Sequence, residues 1–405
     1  MKTITETLVT PVRDPVDVIV AGGGFAGVAA ALAAKRAGAQ VLLLEKTALF
    51  GGLGTNGLIN WYEPLCDGHG EQLIHGLAEE LLRLSIRYGD DSLPEIWHDR
   101  SVPVDRSRVS SDKHDPVGGR YATHFSPTMC QLAMDEILTR EEIQIRLDIT
   151  AVRPVTEGTR IMGVVCESKS GREFYPASAF VDATGDADLF YRAACACIDG
   201  FNYFSAVAHL SSVSEKSNAM KNRQWIACGA DLHGHGHPEG YPLLSGTTNE
   251  EVTRFLLDGR RAVLDKIHGK DRKLYDIASL PAQAQFRKTR RIEGMKTLTE
   301  ADCFVPHEDS VGLAADFEKP GDWYEIPYGT LVSSSAANMF AAGRMISSDG
   351  WAWDVTRVIP VCSLTGQAAG LAAALISRSQ YTAQTLPVKE LQQELIHQGV
   401  RLHRN

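Results

Sequence analysis

The chain has 405 residues and a formal net charge of −9, with 44% apolar and 22% charged residues. That length suffices for two or three domains with cores of their own, and the composition excludes disordered and fibrous classes. The acidic balance argues against a broad nucleic-acid surface, because such surfaces need clustered positive charge; the one basic run is Arg287-Lys288-Thr289-Arg290-Arg291.

The first residues lack the basic-then-apolar order of an export signal. No run of eighteen apolar residues occurs, and the longest helical apolar stretch, Gly366 to Ile376, reads as too short to cross a bilayer. A soluble, cytoplasmic protein with no membrane and no nucleic-acid partner is therefore expected. The 8 cysteines show no C-x-x-C and no metal-ligand spacing, so no metal site is expected. Cys195-Ala196-Cys197 reads as a pair of buried thiols in an Ala-rich segment rather than a redox couple.

In chain order, residues 18–45 form a strand, a glycine turn, a helix and a second strand closed by an acid. Gly22 permits the tight turn, Gly24 lets backbone approach a pyrophosphate, and Gly27 lets the helix pack against the sheet. The helix N-terminus, with Phe25 and Ala26, then offers N–H groups to phosphates. Glu45 stands where a carboxylate accepts a ribose hydroxyl. This is a dinucleotide cradle. Directly after it, Lys46 leads into a second glycine-rich stretch containing Gly51, Gly52, Gly54, Thr55 and Asn56. A second place of close backbone approach suits a flavin better than a nicotinamide, because the flavin half extends away from the ADP.

Residues 71–88 carry apolar residues at helical spacing, and 89–124 read as a long loop near the substrate opening. Ser126-Pro127 predicts a helix start, ending about Arg140. Residues 143–155, 161–167 and 173–177 read as a β-meander. A short strand then runs into Ala183-Thr184-Gly185-Asp186. Thr248 and Glu251 offer a capping box for a helix from Asn249 to His268, closed by Gly269. Residues 338–343 read as a buried strand meeting a glycine turn at Gly343-Arg344, and Pro360 as preceding a helix that begins near Cys362 or Ser363. The His233-Gly-His235-Gly-His237 run reads as a flexible loop rather than a metal site.

From Val18 to Asn56 the sequence resembles the N-terminal end of FAD-dependent oxidoreductases of the glutathione-reductase-like superfamily. The stretch Asp182-Ala-Thr-Gly-Asp-Ala-Asp188 resembles, within it, the group related to fumarate reductase and succinate dehydrogenase flavoproteins, as does Arg287-Lys-Thr-Arg-Arg-Ile-Glu-Gly294. Lys288 departs from that pattern, which has Glu there; the charge reversal either removes a proton-transfer acid or favours an anionic substrate. The resemblance implies an α/β fold: a Rossmann-like FAD domain, with an inserted meander, from 1–195 and 300–405, and a smaller substrate or capping domain from 196–300. It also implies non-covalent FAD, since His69 and His75 lie in no attachment context. A backbone contact to adenine falls at Val152, and a helix N-terminus at Val361 faces the flavin. Reduction places negative charge on the flavin, which such a terminus stabilises.

Arginine forks suit carboxylates, so Arg287, Arg290 and Arg357 are the candidates for positioning a small, polar, anionic substrate. The expected activity is hydride transfer between that substrate and flavin N5, as a dehydrogenase or reductase. The alternatives are an oxidase using O₂ and an RNA-modifying or non-catalytic flavoprotein. A homo-oligomer or an electron-acceptor protein are the open partner assignments.

Overall fold

The computed structural model describes residues 2–89, 91–99, 120–212, 224–270 and 275–404; part of the expected 89–124 loop lies outside them. Of that loop, Glu95–His98 is a helical turn and Thr123–His124 pairs with the strand Trp61–Tyr62.

Val16–Ala21 is apolar at almost every position, as a strand covered on both faces must be. It pairs in parallel with Val41–Leu44 on one side and with the C-terminal half of Gly171–Asp182 on the other. Gln144–Arg146 and Met339–Ala341 extend the parallel sheet outward. The strand Gly171–Asp182 is one continuous element of 12 residues, not the two expected. Its first half pairs antiparallel with Arg160–Ser168, which pairs with Ile149–Glu157, so the meander grows directly out of the cradle sheet. The expected strand 143–155 is broken at Asp148, which takes a left-handed φ of 54°.

The helix Phe25–Arg36 packs on this sheet and against Ile359–Ser377. A Cβ at Gly366 would lie 2.1 Å from the Ala26 carbonyl oxygen, and one at Gly370 2.1 Å from that of Ala30. Backbone is thus pressed against backbone, and Gly370→Ala should cost about 1–3 kcal/mol through overpacking; an unchanged thermal midpoint would refute this contact. Ile359–Ser377 begins earlier than expected, because Pro360 sits inside its first turn rather than before it. Its 19 residues are long and apolar enough to cross a membrane, correcting the expectation that the stretch is too short, but 83% of its apolar window is buried inside the protein.

The expected helix at 71–88 starts only at Leu77, since Gly76 holds a φ of 70° and Gln367 Oε1 accepts the Leu77 N–H. Pro127–Arg140 begins on a Ser126 cap. Between residues 200 and 290 a second sheet, Gln224–Gly229, Ser205–Ser212 and Tyr275–Ser279, has its own small core of Ala206, Ala208, Leu210, Ile226 and Val263 under the helix Asn249–Ile267. Thr248 caps that helix, but Glu251 reaches past the cap to Ser245 and Gly246 instead of closing a capping box.

Candidate functional site

The two glycine stretches meet face to face. Gly51 N–H donates to the Gly23 carbonyl at 2.8 Å, and the Glu45 carboxylate takes the Gly23 N–H at 2.6 Å and both the N–H and hydroxyl of Thr47. One acid at the end of the second strand thereby fixes both turns. The resulting cleft is lined by Gly22, Gly24, Phe25, Ala26, Glu45, Lys46, Gly51, Gly52 and Gly54, with Ala183, Thr184, Gly185, Gly343 and Arg344 closing its other side.

Gly22 and Gly27 are glycine for reasons internal to the protein: Gly22 has a φ of 103°, and a Cβ at Gly27 would sit 1.8 Å from the Gly22 carbonyl oxygen. Gly24 is different. Its φ is −68° and an added Cβ would meet only Gly52 Cα, at 3.9 Å, so neither strain nor packing requires glycine there. The space in front of it does, as a cradle for a pyrophosphate at a helix N-terminus demands. Arg344 adds a second sign of a missing partner: its Nη2 pairs with Asp186 at 2.7 Å, while its buried Nε has no hydrogen-bond partner among the described residues. The residues present therefore fit a bound dinucleotide.

Six predicted cofactor residues do not line the cleft. Gly27 packs behind it; Thr55 bonds the Phe50 carbonyl and Asn56 the Thr47 hydroxyl and Leu49 carbonyl, so both shape the second turn from behind. Asp186 acts through Arg344. At the adenine end, Ile149, Thr150 and Ala151 line the cleft in place of Val152, because the pairing shifts register between Ala151 and Arg153. At the flavin end, Val361 is fully buried, whereas Ile359 and Cys362 face the cleft. Behind the Ala183-Thr184-Gly185 turn, Asp182 accepts from the Thr184 hydroxyl and the Leu189 and Phe190 N–H groups, holding the turn; burial pushes its carboxyl up to about 6.

Arg357 belongs to this cleft and also to a neighbouring cavity of about 780 Å³. Arg287, Lys288 and Asp354 stand on the same wall of that cavity. Asn202 sets them: its Oδ1 accepts the N–H groups of Arg287 and Lys288 at 2.6 and 2.9 Å, and its amide donates to the Leu244, Ser245 and Lys288 carbonyls. Asp354 takes Lys288 Nζ at 2.7 Å on one oxygen and Arg357 at 2.8 Å on the other. Arg287 is left over. Among the described residues no carboxylate pairs with it, and its guanidinium donates only to the Gln285 carbonyl. Burial, then the guanidiniums of Arg357 and Arg344, push it down to about 9, so it stays charged at neutral pH but lacks a counter-ion.

Arg290 is placed elsewhere, correcting its expected role. Its guanidinium pairs with Asp199 at 3.0 Å and lies 3.8 Å over the Tyr191 ring, outside both cavities. Arg291 is buried near Asp349. The imidazoles of the histidine run take separate partners: His237 bonds the Tyr241 carbonyl and Phe204 N–H, His235 bonds Asp231, and His233 stacks on Trp351. Burial pushes the Cys195 and Cys197 thiols up to about 11 and 12.

A cleft built of two glycine turns and a helix N-terminus, beside a charged cavity lined in part by the second sheet, is a site for a dinucleotide. The chain belongs to the FAD dependent oxidoreductase family, which it matches over residues 17–239 and 213–395, and its cofactor is FAD. Along 80 residues it is 40% identical to a Dictyostelium discoideum protein provisionally named a bifunctional amine oxidase; the match spans 20% of this chain and 7% of that one. Its fold is similar to p-nitrophenol 4-monooxygenase PnpA from Pseudomonas putida DLL-E4, with a TM-score of 0.51 and 11% identity over 95% of this chain and 89% of that one. A flavocytochrome c3 fumarate reductase in its open conformation matches at a TM-score of 0.41 and 15% identity, over 91% and 79% of the two chains.

Proposed function

We propose that the protein is a dehydrogenase or reductase that moves a hydride to or from a small organic anion, held in the 780 Å³ cavity beside the FAD cleft. The observation that carries this reading is the wall on which Lys288 and Arg357 share the carboxylate of Asp354 while Arg287, beside them, has no acid of its own among the described residues. Burying surplus positive charge is costly unless something pairs with it, and a substrate carboxylate restores the balance. Bound FAD supplies two-electron chemistry. Arg287 binds the carboxylate through its fork, and Arg357, which reaches both cavities, fixes the anion's position relative to the cleft. A reacting carbon must approach within about 3–3.5 Å of its acceptor, so this clamp works by positioning. The N-terminus of Ile359–Ser377, with Ile359 and Cys362 on the cleft, favours negative charge there.

Anaerobic titration of the oxidised holoprotein with hydroxy acids, amino acids, amines, polyols and sugars tests the proposal. Bleaching of the flavin band by acids, and slow return of colour when air is admitted, is the expected result. Rapid reoxidation with peroxide would mark an oxidase. Bleaching by neutral polyols or sugars alone would overturn the anion reading.

A further inference from the structure

Besides the cationic side chains, rings line the cavity. Trp61 and His124 come from two short paired strands of the FAD domain, and their ring centroids are 4.4 Å apart. Trp225, from the capping sheet, sets its ring edge-on to His124 at 5.7 Å and donates its indole N–H to Asn60 Oδ1 at 2.9 Å. Trp225 is 40% exposed although large and apolar. All three rings line the cavity. Two carboxylates accompany them: Glu63 accepts the Trp61 indole N–H at 2.8 Å, and Asp91 lies beside Ser92, whose hydroxyl accepts the His124 N–H.

This arrangement has a chemical reading. Flat rings offer faces and edges to a flat ligand, and each good ring pair contributes about 0.5–1.5 kcal/mol beyond area burial. Carboxylates beside the rings disfavour a second anionic group, while the cations of the other wall need one. A volume of about 780 Å³ lies in the range of pockets for ligands larger than a four-carbon acid.

Resting on the anion reading above, we infer that the substrate is an aromatic monocarboxylate, its acid group on Arg287 and Arg357 and its ring against Trp61, His124 and Trp225. A dicarboxylate fits poorly, because its second charge meets Glu63 and Asp91.

Four probes separate the ring from the charge: phenylacetate, cyclohexylacetate, phenylacetamide and succinate, titrated into the oxidised holoprotein by calorimetry and by perturbation of the flavin absorption. Phenylacetate should bind roughly tenfold more tightly than cyclohexylacetate, the value of one or two ring contacts, and more tightly than succinate. Trp225→Leu should erase the preference for the ring, and Trp225→Phe should retain it. If cyclohexylacetate binds as tightly as phenylacetate, or succinate binds more tightly, the aromatic inference fails while the anion reading stands. If phenylacetamide matches phenylacetate, the anion reading itself fails. Absence of binding by every acid up to millimolar concentration overturns both.

Discussion

Replacing Gly24 with valine is expected to give a folded protein that carries no FAD. The substitution is usually uninformative at a glycine, because a side chain that blocks a ligand also wrecks the turn. Here the two effects separate. Gly24 has an extended backbone that valine adopts without strain, and its Cβ would meet one atom at 3.9 Å. The isopropyl group grows into the space before the N-terminus of Phe25–Arg36, where a pyrophosphate has to sit. Purified Gly24→Val should therefore be colourless and release no flavin on heating. Its thermal midpoint should match that of wild-type protein stripped of FAD; it should not match the holoprotein, which gains about 4 kcal/mol when ligand stands a thousandfold above Kd. Gly27→Val is the contrasting case: with its Cβ 1.8 Å from the Gly22 carbonyl oxygen, it should fail to fold. Stoichiometric FAD in Gly24→Val would mean that this turn is not the cradle.

The cradle was legible because its chemistry is local. Gly22, Gly24, Gly27 and Glu45 act within one strand–turn–helix–strand unit, and each spacing maps directly onto a position in space. The features that the sequence does not place depend on distant partners. Ala151, not Val152, lines the cleft beside a register shift in the meander, and nothing in the local alternation announces a bulge. Pro360 lies inside the first turn of its helix, so Ile359 and Cys362 face the cleft and the Val361 side chain is buried.

The basic run shows the same limit more sharply. Arg287 and Arg290 are three residues apart and equivalent in composition, yet Asn202 holds the first on the cavity wall, while Asp199 and Tyr191 bind the second behind the strand Arg290–Ile292. Those partners lie about ninety residues away in sequence, so no window around the run distinguishes its arginines. Lys288, the departure from the family pattern, proves to be the partner of Asp354, itself distant in the chain. The reversal of charge at that position has therefore been answered by one acid, not by enough to neutralise the wall.

Arg287→Met should weaken binding of the carboxylate substrate by about 10–100-fold while leaving FAD content and the flavin spectrum unchanged, since a hydrogen bond to a charged group contributes about 1.5–3 kcal/mol. Methionine keeps the length and apolar stem of the side chain, so the Asn202 contacts to backbone at 287 and 288 persist. The loss should appear in KM, because the clamp grips the acid before and during the reaction alike. Stability should move in the opposite direction. Arg287 is a cation held down to about 9 by burial and two neighbouring guanidiniums, so removing it relieves repulsion and should raise the thermal midpoint of the FAD-free protein or leave it unchanged. Loss of a residue kept for structure would raise KM and lower the midpoint together, which makes the split diagnostic. Arg290→Met supplies the reverse pattern: KM unchanged, and a lower midpoint from loss of the Asp199 pair and the Tyr191 stack. If Arg287→Met leaves KM for acids untouched, the surplus charge on the cavity wall serves something other than the substrate.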